Sequence, residues 1–95
     1  MSKITRENVK NSNKFTETEK IVLDHMLEWE EWNKSQGREN EDVFIISNES
    51  GLIEIKASIL FEAIYHLVDL GILKKRNCDA IAYEWDNRMA LENYL

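Results

Sequence analysis

With 95 residues, 43% of them apolar and 32% charged, the chain has room for one modest core and no second domain. That composition excludes a disordered or collagen-like chain, and no window approaches the roughly 18 consecutive apolar residues of a membrane span. Twelve basic against 18 acidic residues leave a net charge of −6, a field that repels nucleic-acid phosphates, so any DNA binding must come from local basic segments.

The single cysteine, Cys78, has no internal disulfide partner. The opening MSKITREN carries no apolar signal segment, so the cytoplasm is the expected compartment. Charge is uneven along the chain: residues 1–14 carry +3, residues 15–54 carry −8 and the remainder −1.

Residues 1–14, rich in Asn, Lys and Ser with Ile4 and Val9 as apolar candidates, read as a basic N-terminal arm that packs loosely, ahead of a single domain at 15–95. Thr16 followed three residues later by Glu19 is a capping box: hydroxyl and carboxylate each satisfy a free backbone N–H, so a helix begins near Glu17. Val22, Met26, Trp29 and Asn33 recur at helical spacing. Ile21, Leu23, Leu27 and Trp32 widen the apolar surface, and Asp24, Glu28 and Glu31 form the opposite stripe. Trp29 is expected in the core, while Trp32 either covers the core's edge or anchors a partner. Gly37 is a natural C-terminal stop, followed by a polar, acidic loop to Asp42.

VFIIS at 43–47 is β-branched and aromatic, as suits a short buried strand. The stretch that follows has two readings: Ser47 caps a short helix, or NESG turns and LIEIK pairs back onto VFIIS. A helix then runs from about Ile59 to Leu70 with Leu60, Ala63, Ile64 and Leu67 on one face, stopped by Gly71. KKRNCD is a basic turn-like segment and AIAYEW a second strand. Asp86 is placed to cap a last short helix, whose Met89, Leu91, Tyr94 and Leu95 either close the core or form a homodimer seam.

The run SILFEAIYHLVDLGILKKR resembles the second half of a winged helix-turn-helix domain, whose helix ends in Leu-x-x-x-Gly followed by two aliphatic residues, a basic residue and a β-wing. Leu67, Gly71, Ile72 and Leu73 fill that pattern, Lys74 to Arg76 open the wing, and AIAYEW is its return strand. The resemblance spans about residues 16–86 and implies an α+β, mostly helical fold that is winged helix-turn-helix-like. The alternative is an α-β-β-α-β domain with a hairpin at 43–56. The family would place its DNA-reading residues on the outward face of residues 58–70. Here that face is Ser58, Phe61, Glu62, Tyr65, His66 and Asp69, without a Lys or Arg to meet base edges or phosphates.

Catalytic chemistry finds little purchase. Asp24, His25, Glu28 and Glu31 evoke half of a di-metal site, but the matching Glu-x-x-His of a second helix is missing, so they read as a solvated acidic stripe. Cys78 with His66 as a thiol–base dyad has no support from spacing. There is no phosphate-cradling glycine loop and no zinc spacing. The expectation is a non-enzymatic domain without metal or cofactor. It binds a protein with a basic groove through Asp24, Glu28, Glu31, Trp32, Phe61, Glu62, Tyr65, His66 and Asp69, and thereby regulates or inhibits nucleic-acid machinery. Small size, an Asn/Lys/Glu/Ile-rich composition and missing prolines suit a phage or mobile-element factor directed against host or defence machinery. The alternative is a dimeric DNA-binding transcription regulator using the N-terminal arm, Lys56, Lys74, Lys75 and Arg76.

Overall fold

A computed structural model describes residues 3–37, 44–46, 54–76 and 82–95. In chain order these form α1 (Arg6–Asn11), α2 (Glu17–Ser35), β1 (Phe44–Ile46), α3 (Ala57–Asp69), β2 (Leu73–Lys75), β3 (Ala82–Trp85) and a C-terminal 3-10 helix (Arg88–Tyr94). The described residues make a small α+β domain, mostly helical. None of its helices is long and apolar enough to cross a membrane.

The capping box forms as its spacing requires. Thr16 Oγ1 accepts from Glu19 N at 3.2 Å and Glu19 Oε1 accepts from Thr16 N at 3.0 Å, so two of the free donors at the start of α2 are satisfied by side chains. Val22, Leu23, Met26 and Leu27 then point into the core. Trp29, expected there, is only half-buried, and Trp32 is 51% exposed. The amide of Asn33, 2% exposed at the end of the same stripe, finds no hydrogen-bond partner among the described residues.

The end of α3 is set by Gly71 at φ +80°, a left-handed conformation that Gly adopts at little cost. Gly71 N donates to Val68 O at 3.0 Å and Ile72 N to Leu67 O at 3.1 Å, which is the Schellman pattern. Leu67 and Ile72, both fully buried, supply the apolar contact that accompanies it. The chain then enters β2, so the helix stop and the start of the hairpin are one piece of geometry.

All strand pairs are antiparallel, in the order β1-β3-β2. Asp86 N to Ile72 O and Asn87 N to Gly71 O extend the β2–β3 hairpin back to the end of α3. Asp86 therefore serves the hairpin, and the 3-10 helix that follows has no side-chain cap. Helices α1 and α3 both pack on α2, while β2 lies against α3 and β1 against α2. In the hairpin alternative LIEIK pairs with VFIIS, but Glu54 and Ile55 form a turn and bend, and β1 pairs with β3. Ser47 and residues 48–53, on which the helix-or-strand choice rests, lie outside the described residues, as does Cys78.

The loosely packed arm is corrected by the structure. Thr5 caps α1 by accepting from Asn8 N, Val9 is fully buried, and Ile4 and Phe15 are each 6% exposed. Ser12 Oγ donates to Tyr94 O at 2.7 Å, and the rings of Phe15 and Tyr94 lie 5.4 Å apart, so the two ends of the chain close the same core. Leu91 is fully buried and Ala90, Tyr94 and Leu95 pack against the core, leaving Met89 as the exposed apolar side chain of the last helix. The apolar residues proposed for a homodimer seam are thus largely committed within the chain.

Candidate protein-binding face

The four buried residues of α3, Leu60, Ala63, Ile64 and Leu67, fix the helix by one stripe. At 3.6 residues per turn, Ser58, Glu62, Tyr65 and Asp69 fall opposite, and all four are exposed. Phe61 lies between this face and the sheet and is half-buried; its ring stacks on Tyr65 with centroids 5.9 Å apart. Tyr65 also meets the buried Tyr83 of β3 edge-on at 6.4 Å. Tyr65, 55% exposed, therefore shows part of its ring to solvent while two aromatic neighbours hold it. Burial, and then the neighbouring Tyr65 phenol, push the Tyr83 phenol above its ordinary ionisation range.

His66 faces the other flank of α3. Its Nδ1 is hydrogen-bonded to Glu19 Oε2 at 2.5 Å, a contact between residues 47 apart in sequence. Glu19 is 1% exposed yet fully engaged: one oxygen takes the Thr16 amide, the other His66. The pair ties the start of α2 to the middle of α3. Beside it lies an open cleft of about 560 Å³, whose walls include Lys14, Phe15, Thr18, Ile59, Glu62 and His66. Ile59, 48% exposed on that wall, was not singled out in the sequence; its place off the buried stripe was the signal for it.

The acidic stripe of α2 is otherwise disposed than its sequence implied. Arg6 of α1 reaches it with Nε 2.8 Å and Nη2 3.1 Å from the two carboxylate oxygens of Asp24, and lies 3.7 Å from Glu28 and 3.4 Å from Glu31. The Asp24 hydrogen bonds, with the nearby carboxylates, hold the guanidinium still more firmly protonated than usual. Glu28 and Glu31 stay exposed, and one cation of the chain itself lies within 4 Å of all three carboxylates, cancelling one of their three charges. No local spacing announces this contact, since Arg6 lies 18 residues from Asp24 and 25 from Glu31. Glu30, on the same helix, receives a forked contact from Arg88 at 2.9 and 3.1 Å.

Of the basic residues in the DNA-binding alternative, Arg6 of the arm is engaged on α2. Lys74 and Lys75 are exposed on β2, an edge of the sheet, opposite Glu84 and Tyr83 respectively. Lysines on an edge strand discourage pairing with another chain as readily as they attract phosphate. Arg76 Nη1 is 3.7 Å from Glu84. Lys56 precedes α3, exposed and without a side-chain cap bond. Among the described residues, no group of three or more His, Cys, Asp or Glu is placed to hold a metal ion. In comparisons with known proteins, no family model, curated protein or solved structure matches the chain.

Proposed function

We propose that the chain is a winged-helix-type, non-enzymatic domain that binds a protein through the outward face of α3 and the adjoining cleft, and so regulates or inhibits nucleic-acid machinery. The α3 helix leading through Gly71 into an antiparallel hairpin, with β1 added to its return strand, supports the fold type. One observation carries the function. Glu62 and Asp69, on one exposed face of α3, make no ion pair among the described residues, whereas Asp24, Glu28, Glu30 and Glu31 of α2 each have an arginine within 4 Å. A face with unpaired carboxylates, an exposed tyrosine and no cation repels a phosphate backbone and suits a basic protein groove. The proposed surface thus centres on α3 rather than on the α2 stripe, which Arg6 offsets in part.

Capture from host lysate, run beside a salt-titrated duplex shift, tests this. The double variant Glu62→Ala, Tyr65→Ala loses a captured protein that Lys74→Ala, Lys75→Ala, Arg76→Ala retains. Sub-micromolar duplex binding at physiological salt, lost in the triple variant, overturns the reading in favour of a DNA-binding regulator; each lost phosphate contact would then reduce the log–log salt slope by about 0.9.

A further inference from the structure

We propose that the outward face of α3 receives an arginine of a basic partner segment, with its guanidinium on the Tyr65 ring and Glu62 and Asp69 as its anionic partners. This rests on the protein-binding reading of the same face. Glu62 precedes Tyr65 by three residues and Asp69 follows it by four, and side chains at these spacings are neighbours on a helix surface. The tyrosine is thus bracketed by carboxylates that nothing else among the described residues neutralises. Phe61 stacks on Tyr65 and Tyr83 meets it edge-on, so the ring is held before a ligand arrives.

Arginine fits this arrangement better than lysine. Its planar guanidinium stacks on an aromatic face and offers paired donors to a carboxylate at its edge, whereas an ammonium ion is a compact point charge with stronger hydration. The charge pattern excludes phosphate as the occupant. Exposed Ile59 and buried Phe15, in the cleft that shares Glu62 with this face, give an apolar residue next to that arginine a place to lie.

The test is an amide chemical-shift titration with a capped peptide of alternating leucine and arginine, against the same peptide with citrulline or lysine for arginine. The arginine peptide shifts the amides around Glu62, Tyr65 and Asp69, and the citrulline peptide, isosteric but uncharged, binds at least about tenfold more weakly. Glu62→Gln with Asp69→Asn, both at exposed positions that leave the fold intact, abolishes that preference; Tyr65→Leu narrows the gap between arginine and lysine. If citrulline binds α3 as well as arginine does, the arginine site is wrong while α3 stays a protein-binding face. Shifts around Asp24, Glu28 and Glu31 with none on α3 contradict both.

Discussion

The buried carboxylate of Glu19 and the half-exposed imidazole of His66 join the first turn of α2 to the middle of α3 through a 2.5 Å hydrogen bond. Replacing His66 by Ala leaves a buried acceptor with one partner fewer, which costs about 1–3 kcal/mol, with the lower end favoured because water reaches the histidine side. Glu19→Ala removes the capping-box acceptor as well and costs more than His66→Ala. Denaturant midpoints give the comparison, and equal stability of the two variants contradicts the double role of Glu19.

Helix α1 belongs to the core. Val9→Ala, at a fully buried position, is expected to destabilise by about 1–2 kcal/mol, an outcome a loosely packed arm would not produce. Arg6→Ala costs about 0.5–1 kcal/mol, since its partners are more than a third exposed, and the loss shrinks in 1 M salt. Urea melts at low and high salt separate the two effects.

Gly71 and Leu67 act together at the end of α3. Nothing lies within 4 Å of a Cβ added at Gly71, so Gly71→Ala is a test of backbone conformation alone, with an expected loss of about 1–2 kcal/mol. Leu67→Ala, which opens a cavity at a fully buried position, costs about 2–4 kcal/mol. Thermal or denaturant unfolding checks both, and a neutral Gly71→Ala contradicts the left-handed turn.

Tyr83 gives stability an alkaline edge. Its phenol holds its proton more tightly in the folded chain than in the unfolded one, so above about pH 10 the unfolded state releases that proton first and stability falls as pH rises. Below that range the contribution is fully present. Tyr83→Phe removes this residue's share of the dependence, which appears as a melting temperature that falls less steeply between pH 9 and 12.

Local signals were legible where both partners lie within one turn. Thr16 with Glu19 marks the start of α2, Gly71 marks the end of α3, and the Leu60–Leu67 stripe places Ser58, Phe61, Glu62, Tyr65, His66 and Asp69 outward, of which Phe61 is half-buried in the structure. What escaped was long-range. Arg6 lies in a polar, basic stretch whose charge reads as solvated, and only tertiary packing carries it to Asp24. Val9 and Phe15 are too widely spaced to form a periodic stripe, so their shared burial left no trace in the pattern. Glu19 was visible as a cap, but its second partner, His66, lies 47 residues on. The apolar residues of the last helix allowed either a dimer seam or core closure, and the Ser12–Tyr94 contact joins that helix to the other end of the chain.

The central claim, that α3 meets a protein while the basic strand does not meet DNA, is most directly tested by photo-crosslinking in cell lysate. A photoreactive residue at position 58, exposed on the same face of α3 as Tyr65, or at position 75 reports which polymer each surface touches. Covalent attachment of a protein at position 58, competed away by unlabelled wild type but not by Glu62→Gln with Asp69→Asn, is the predicted result. Nucleic acid crosslinked at position 75, with nothing at position 58, contradicts the account.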